Sequence, residues 1–447
     1  MSAATRHGLA LALSFLAGVS LTAVHTVWAE KETPPENPLP LDELRTFTGV
    51  LDAVKQDYVE PVKDKDLLEN AIRGMLSNLD PHSAFLDAEA FQDLQIGTSG
   101  EFGGLGIEVG QDDGFLKVIA PIDDTPAQRA GIRSGDLIIR LDDTSVKGMP
   151  LSDAIQRMRG KPNTAITLTI VREGVRKPLK IKLIREVIQV RSVKSRLLEP
   201  GFGYLRITQF QAKTAQNLRQ ALQEIEQQNK GPLRGVVLDL RNNPGGVLNG
   251  AVDVADDFLE EGAIVQTKGR GNGSDQSFKA TPGDLLKGVP LVVLVNGGSA
   301  SASEIVAGAL QDHHRALILG ERTFGKGSVQ TILPLGNGTA VKLTTARYYT
   351  PNGRSIQAEG IEPDIKLKPL KVATGADGID SDSVKEADLT GHLRNDRKNP
   401  ADSTPADSAP DAKTTAADGD LAQNDYPLYE ALNLLKGMTL LQNRKSG

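Results

Sequence analysis

Residues 296–304 read Asn-Gly-Gly-Ser-Ala-Ser-Ala-Ser-Glu, and they join the apolar run Leu291–Val295 to an amphipathic stretch that begins at Ser301. A short, continuous apolar run bounded by turn residues predicts a strand that is buried on both faces. The amphipathic stretch carries apolar residues at helical spacing, namely Ala302, Ile305, Val306, Ala309 and Leu310. A buried strand that leads directly into a helix is the repeating unit of α/β folds, so this junction predicts the fold class of its surroundings.

The same alternation of strand and helix extends on both sides of the junction. Strands are predicted at Gly203–Ile207, Val236–Leu240, Leu291–Val295 and Ala316–Leu319. Helices are predicted at Ala212–Gln228, Gly250–Leu259 and Ser301–His314. Apolar strands separated by helices are typical of a parallel sheet covered on both faces. We therefore expect an α/β core over residues 187–371.

A different pattern precedes this core. Short runs of β type lie at Phe115–Val118, Leu137–Leu141, Ala165–Val171 and Leu179–Leu183. A helical stretch, Leu151–Met158, interrupts them, and the glycine-rich segment Gly100–Ile107 comes before them. Together they predict a β-rich module over residues 96–186. Ahead of the module, apolar residues at helical spacing predict a helical region over residues 41–95.

The N-terminus is typical of an export signal. Arg6 supplies a positive charge, Leu9–Val24 is almost uninterrupted apolar sequence, and Val27-Trp28-Ala29 has small residues where signal peptidase requires them. We expect a signal peptide over residues 1–29, followed by a polar, proline-rich linker over residues 30–40. The alternative is an uncleaved anchor, because the apolar run is at the short limit of what spans a bilayer.

The C-terminal part changes composition. Residues 372–425 are rich in Ala, Asp, Ser, Thr and Pro and contain no aromatic residue, which predicts disorder because such a tract cannot bury a core. Residues 426–447 regain apolar helical spacing and predict a helix that needs a partner. This lone helix favours a homo-oligomer.

Composition excludes several classes of protein. The 447 residues allow two or three domains. The chain has no cysteine, which excludes disulfides, thiol catalysis and Cys-ligated zinc. Its net charge of −6, without basic clusters that contain aromatic residues, argues against nucleic-acid binding. No H-E-x-x-H or comparable ligand cluster occurs, so no metal and no other cofactor is expected.

Ser301 has two interpretations. With Glu304 it forms the S-x-x-E pattern of a helix capping box, which explains a serine at this position on local sequence alone. The same position suits a nucleophile, because the helix dipole and the free N–H group of Ala302 could stabilise a developing oxyanion.

Lys326, in the segment Thr323–Gln330, also has more than one interpretation. A lysine is usually a solvated surface charge. A buried lysine with a lowered pKa can instead act as the base for a serine, and the histidines offer no better-supported base. The segment Gly320–Gly327 nearly matches a phosphate-binding loop, but Gly327 stands where Ser or Thr should bind magnesium, and a strand pattern follows where a helix should begin.

Taken together, several segments resemble the carboxyl-terminal processing (tail-specific) protease family of serine peptidases over about residues 40–370. The resemblance depends on an ordered set of motifs: Leu79–Ser83, the glycine loop before Ile107, Asp239–Gly246, Ser299–Glu304, Thr323–Gln330, and Tyr349–Gly353 with Gly360–Asp364. It implies a Ser301–Lys326 catalytic pair, with Gln330 orienting the lysine. It also implies an oxyanion hole formed by Ala302 and by one glycine of the pair Gly245-Gly246, with Gly245 preferred.

The resemblance further implies the identity of each domain. The β-rich module resembles a PDZ domain, whose carboxylate-binding loop is Gly104-Leu105-Gly106-Ile107. The fold expected is therefore multidomain: a crotonase-like α/β serine protease core with an inserted PDZ domain, an N-terminal helical region and a C-terminal helix. The function implied is a periplasmic endopeptidase that recognises the C-termini of protein substrates.

Partners also follow from the family. Its members are commonly homo-oligomers, and some act on peptidoglycan hydrolases with a lipoprotein adaptor. The alternative function is a PDZ scaffold protein of the bacterial envelope with a catalytically silent core. The presence of Ser301, Lys326 and Gln330 together argues against that alternative.

Overall fold

The computed structural model describes residues 40–112, 114–271, 273, 275–367, 384–395, 421 and 425–445. The predicted signal peptide and nearly all of the predicted linker lie outside these residues. The chain divides into two compact units, residues 1–71 and residues 72–447. No helix in the described ranges is long and apolar enough to cross a membrane.

The first unit contains helix α1 (Leu41–Asp57) and the start of helix α2 (Asp64–Ser77). Helix α1 begins with acidic residues and ends with Lys55, which suits the helix dipole. None of its residues is buried, and its apolar residues Leu44, Phe47 and Val50 are exposed.

In the second unit, the β-rich module agrees closely with the predicted elements. Its helices are α4 (Pro126–Arg129) and α5 (Leu151–Met158). Its strands are β3 (Ile107–Asp112), β4 (Phe115–Pro121), β5 (Leu137–Leu141), β6 (Thr144–Ser145), β7 (Ala165–Val171) and β8 (Leu179–Ile184). Five of them form an antiparallel sheet in the order β3-β4-β5-β7-β8, and β6 pairs with β5. Strand β3 therefore lies at an edge, with one side open to another strand.

The α/β core is built on a six-stranded sheet. Its strands, in sheet order, are β10 (Val193–Glu199), β11 (Phe202–Ile207), β12 (Gly235–Asp239), β15 (Leu291–Val295), β16 (Leu317–Gly320) and β19 (Ile365–Lys366). All neighbours are parallel except β10 and β11, as the predicted alternation of strand and helix requires. On one face lie helices α6 (Thr214–Asn229), α7 (Leu248–Asp256) and α8 (Ala302–Asp312).

A second sheet completes the core. It contains β1 (Ala84–Leu86), β13 (Ala263–Gly269), β14 (Gln276–Lys279), β17 (Ser328–Pro334) and β18 (Ala340–Tyr349). Strand β1 precedes the β-rich module in the chain but pairs with β18, which follows it. Helix α3 (Ala88–Ser99) then leads to β2 (Glu101–Gly104), which pairs with β9 (Glu186–Gln189) across the ends of the module.

Helix α9 (Tyr426–Lys445) corrects one expectation. It was predicted to need a partner, but it packs on the second face of the core sheet of its own chain. Alternation along β12 and β15 turns Val237, Val292 and Leu294 to this face, where they meet helix residues at spacing i, i+3, i+4 and i+7: Leu428, Ala431, Leu432 and Leu435. Asp425, at the start of the helix, receives two hydrogen bonds from Arg241, at 2.7 and 2.8 Å. The helix thus gives no support for oligomerisation.

Residues 384–395 differ from the prediction of disorder for residues 372–425. They form a short ordered segment that contains a turn of 3₁₀ helix, Glu386–Asp388. Composition indicated too few apolar residues for a core, but this segment is held by polar contacts: the Lys385 ammonium donates to the Arg322 carbonyl, and Glu386 is completely buried. The rest of the predicted disordered tract, apart from Leu421 and Asp425, lies outside the described residues.

Candidate active site

Ser301 lies at the start of α8, directly after the loop that leaves β15. Its backbone has φ 54° and ψ −110°, whereas an N-cap residue ordinarily has extended φ and ψ. A residue other than glycine at such angles is strained and is held there by its surroundings. Ser301 is 7% exposed, and its side chain faces the phenol of Tyr348, whose pKa it acts to lower. Burial raises the pKa of Tyr348 to about 12, so this phenol stays protonated.

Glu304 holds the strained backbone of Ser301. Its completely buried carboxylate accepts the N–H group of Ser301 at 2.8 Å, which is one half of the predicted capping box. The same carboxylate accepts the N–H groups of Gly325 and Lys326, at 2.8 and 2.9 Å, and the hydroxyl of Thr323. Burial raises the pKa of Glu304 to about 7 against the effect of these hydrogen bonds. One carboxylate therefore joins the segment of Ser301 to the segment of Lys326.

Lys326 follows β16 and precedes β17, so the segment that resembled a phosphate-binding loop continues as a strand and not as a helix. Its side chain is largely buried, and this burial is the main cause that lowers the pKa of Lys326. The nearby Lys342 lowers it further, while Glu386, Glu304 and Asp80 act in the opposite direction. The side-chain hydrogen bonds of the described residues do not include one between Ser301 and Lys326, but both residues are tied to Glu304.

Gln330 lies on β17 beside β18. Its amide nitrogen donates to the hydroxyls of Ser328 and Thr344, at 3.0 and 3.3 Å. Thr344 in turn donates to the carboxylate of Asp80, one of the groups whose charge acts on Lys326. The contacts of Gln330 thus connect it with the surroundings of the lysine, not with the lysine itself.

The two predicted oxyanion donors lie next to Ser301 but differ in availability. A Cβ atom added to Gly245 would lie 2.8 Å from the Ser301 Cβ and 3.0 Å from the Ala302 nitrogen, so these three residues are in contact. The N–H group of Ala302 has no acceptor among the described residues. The N–H group of Gly245 donates to the side chain of Asn243 at 2.9 Å. In this structure, the predicted oxyanion hole therefore has one free N–H donor, that of Ala302.

The predicted carboxylate loop, Gly104–Ile107, leads into the edge strand β3. Its carbonyl groups are used inside the module, since Leu105 accepts from Ala127, and Gly106 from Ile122 and Thr125. The N–H groups of Leu105 and Gly106 have no acceptor in the part of the chain that the structure describes. Two free N–H groups beside an open strand edge are donors of the kind that a peptide carboxylate accepts in backbone loops.

Sequence reasoning missed several residues of this site. Glu304 was noticed only as half of a capping box, and Tyr348 lies one position before the motif that begins at Tyr349. His82 was quoted within the motif Leu79–Ser83, but its contact with Glu386 joins residues that are 304 positions apart. A buried strand tyrosine was the available signal for Tyr348. No sequence signal pointed to Glu386.

Comparison with known proteins identifies the family. The family model described as peptidase family S41 matches residues 201–367, the model of the PDZ domain matches residues 103–183, and the model of the N-terminal domain of the activating protease CtpB matches residues 15–90. The chain is 47% identical to a carboxy-terminal-processing protease of Bartonella bacilliformis, over 95% of each chain. The chain belongs to the carboxy-terminal processing protease family.

Two further relatives are less similar in sequence. A carboxyl-terminal-processing protease of Synechocystis is 39% identical, over 70% of this chain and 74% of the relative. The carboxy-terminal processing protease CtpA of Bacillus subtilis is 37% identical, over 70% of this chain and 67% of the relative. This member of the family is thus a serine-type peptidase of mixed α and β structure with a PDZ domain, which supports binding of protein substrates through their C-termini.

Proposed function

We propose that this protein is an endopeptidase that cleaves proteins by a serine–lysine mechanism. Neutral Lys326 accepts the proton of the Ser301 hydroxyl as the oxygen attacks the scissile carbonyl. The N–H group of Ala302 binds the resulting oxyanion. The N–H group of Gly245 becomes the second donor when it leaves the side chain of Asn243 and donates to the oxyanion instead. The lysine ammonium then protonates the leaving amine, and water hydrolyses the acyl-enzyme with Lys326 again as base.

The observation that carries this proposal is the backbone of Ser301. A serine that served only as an N-cap would need no strain, because extended angles serve a cap better. Ser301 instead stands at φ 54° and ψ −110°, held by the buried Glu304 that also binds the N–H group of Lys326. Strain of this kind is retained where the surrounding structure requires one orientation of a side chain.

We propose that the PDZ domain selects the substrate. The free N–H groups of Leu105 and Gly106 bind the terminal carboxylate, and the substrate adds to β3 as a further strand. Such a contact recognises the terminal carboxylate and depends little on the amino-acid sequence of the substrate. The pairing of β1 with β18 supports the placement of the domain as an insertion, and a core of parallel strands and helices is compatible with a crotonase-like fold.

We further propose that the protein acts in the periplasm. The apolar run and the small residues before Glu30 support export with cleavage after Ala29. The exposed apolar residues of α1 support a homo-oligomer, because burying them against another copy would remove them from water. Envelope proteins such as peptidoglycan hydrolases, and a lipoprotein adaptor, are proposed on family resemblance alone.

The experiment that tests this function compares wild type with Ser301→Ala on a peptide that has a free, unstructured C-terminus. Cleavage should be lost in the variant while its thermal unfolding stays within a few degrees, because alanine keeps the N–H group that Glu304 binds and loss of one hydroxyl contact costs about 1 kcal/mol. A cell extract is added in a parallel arm to supply an activator. A purified Ser301→Ala protein that still cleaves would show that another residue is the nucleophile. A wild type that stays inactive in both arms would favour the silent scaffold.

A further inference from the structure

Glu386 is a buried acid that the mechanism above does not use. It lies in the ordered segment 384–395, and its side chain is 0% exposed. A carboxylate is almost never completely buried unless hydrogen bonds and opposite charges surround it. The surroundings of Glu386 therefore indicate what it does.

Two side chains hold the Glu386 carboxylate. The Nε2 atom of His82 lies 2.9 and 2.8 Å from its two oxygens, and the amide nitrogen of Gln357 donates to Oε1 at 2.9 Å. Burial acts to raise the pKa of Glu386, but these hydrogen bonds and the charges of His82 and Lys326 hold it below its ordinary value. The group is thus an ionised carboxylate inside the protein.

Two further hydrogen bonds place Glu386 beside Lys326. The N–H group of Glu386 donates to the carbonyl of Phe324 at 3.2 Å, two residues before the lysine. On the other side, the Oε1 atom of Gln357 accepts the N–H group of Gly327 at 3.0 Å, directly after the lysine. The backbone on both sides of Lys326 is therefore tied to Glu386, once directly and once through Gln357.

The charged groups that face Lys326 come from four parts of the chain: Lys342 on β18, Glu304 on α8, Asp80 in the loop before β1, and Glu386. Glu304 accepts the N–H groups of Ser301, Gly325 and Lys326, and Asp80 accepts the N–H group and the hydroxyl of Ser83. Among the carboxylates, Glu386 has the largest effect on the lysine.

We propose that Glu386 is a positioning residue that sets the charge state of Lys326, so that segment 384–395 is a working part of the catalytic site. The proposal deepens the proposed function, because it takes Lys326 as the base. Burial favours the neutral form of Lys326, and the negative charge of the Glu386 carboxylate acts in the opposite direction by favouring the protonated form. It also stabilises the ammonium that forms when Ser301 gives up its proton, as a triad carboxylate stabilises a protonated histidine.

The direct test is the titration of Lys326 itself. Lysine side chains are labelled with ¹³C at Cε in the inactive Ser301→Ala protein, which cannot digest itself, and the Lys326 signal is identified by its loss in Lys326→Arg. In Glu386→Gln, which keeps the size of the side chain and one acceptor oxygen but removes the charge, the pKa of Lys326 should fall by roughly one unit. The matched control is Asp388→Asn, which removes the same charge from an exposed position of the same segment and should leave the pKa of Lys326 unchanged.

A second variant provides a result even if Glu386→Gln does not fold. Glu386→Asp withdraws the charge by one methylene group and should lower the pKa of Lys326 in the same direction by less. Circular dichroism establishes that each variant is folded. A Lys326 pKa that is unchanged in Glu386→Gln and in Glu386→Asp, or that moves equally in Asp388→Asn, would overturn the proposal.

Activity supplies the second reading. In the enzyme with Ser301 intact, the acid limb of kcat/KM should move to lower pH in Glu386→Gln by the amount that NMR measures for Lys326. His82, which also contacts Glu386, cannot imitate the NMR result because the lysine signal is observed directly. Failure of the proposed function would give a different result. Ser301→Ala or Lys326→Arg would still cleave the substrate, independently of the pKa that NMR measures for Lys326.

Discussion

The loop of Leu105 and Gly106 and the loop before Ala302 both present N–H groups without an acceptor among the residues that the structure describes, and they are built in different ways. In the carboxylate loop, Leu105 and Gly106 are held by backbone contacts and by one threonine, and Gly106 has φ 75°. At Ser301, the N–H group of Ala302 follows a loop held by the buried side chain of Glu304 and by the backbone carbonyl of Asn243, which accepts the N–H group of Ala300. The first loop depends on backbone shape, and the second depends also on a buried acidic side chain.

This difference follows from the two tasks. A loop that binds a carboxylate needs only N–H groups of fixed direction, since the ligand brings its own charge. In the proposed mechanism, a loop that activates a serine also needs a base, and here that base is Lys326, whose burial lowers its pKa. We therefore predict large effects on catalysis from single side-chain changes around Ser301 and smaller effects from changes to the substrate C-terminus that the PDZ domain binds.

The largest effect is expected for Lys326→Arg. A guanidinium group stays protonated at every pH in use and cannot accept the serine proton, so kcat/KM should fall by roughly a thousandfold or more. In wild type, kcat/KM should rise with pH, because Lys326 cannot act as a base while it is protonated. Since the pKa of Lys326 is lowered, this rise should occur at a pH below the ordinary pKa of a lysine. Steady-state cleavage across pH measures both. An Arg variant of near wild-type activity would mean that Lys326 supplies only positive charge.

A smaller loss is expected for Glu304→Gln. The amide cannot accept all the hydrogen bonds from Ser301, Gly325 and Lys326, and each unsatisfied buried donor costs about 1–3 kcal/mol. We expect kcat to fall by roughly ten- to a hundredfold with little change in KM, because Glu304 is completely buried and offers a substrate no surface to bind. Glu261→Gln, at an exposed position of the core, is the matched control. A rise in KM at constant kcat would contradict the positioning role of Glu304.

A still smaller effect is expected from amidation of the substrate C-terminus. The loop of Leu105 and Gly106 would lose a charged partner, so KM should rise by roughly tenfold while kcat stays constant. Cleavage of one peptide in the free and the amidated form measures this. Equal KM values would leave the PDZ domain only a steric role.

Gly106→Val is a weaker probe of the same loop. A Cβ atom at this position would lie 2.3 Å from the Cβ of Thr125, and the residue has a positive φ. The variant should therefore weaken cleavage, but by deforming the loop rather than by removing one contact.

The positions of the elements were predictable from sequence because they follow from local patterns. Local sequence left Ser301 between a helix cap and a nucleophile, and the resemblance to a family, not a local pattern, favoured the nucleophile. Strand β15 and helix α5 have the predicted bounds, since a continuous apolar run and an amphipathic period need no information about the rest of the chain. The predicted donors Gly245 and Ala302 do lie beside Ser301, because the loops after parallel strands share one edge of the sheet.

The remainder could not be read from local patterns. The contact of His82 with Glu386 joins two segments far apart in the chain, and the composition around Glu386 indicated disorder. The hydrogen bond from Gly245 to Asn243 depends on one side-chain conformation that no motif specifies. The apolar spacing of α9 predicted a helix correctly, but spacing alone does not say whether the surface that covers a helix belongs to the same chain.

The smallest effect on catalysis is expected for Leu432→Ala in α9. This side chain packs on the face of the core sheet that is opposite to α8, so its loss should lower the free energy of unfolding by about 2–5 kcal/mol. Below the unfolding transition kcat/KM should stay within twofold of wild type, because no contact of Ser301 or Lys326 involves α9. Urea unfolding and peptide cleavage measure the two quantities. An unchanged stability would show that α9 does not need its position on the sheet.

Labelling by a fluorophosphonate tests most directly whether Ser301 is a nucleophile activated by Lys326. Such a reagent reacts with an activated serine and remains attached, and mass spectrometry of the digested protein identifies the labelled residue. We predict a single labelled residue, Ser301, with a rate that rises with pH in wild type and is lost in Lys326→Arg. A label on another residue, or undiminished labelling of Ser301 in Lys326→Arg, would contradict the serine–lysine mechanism.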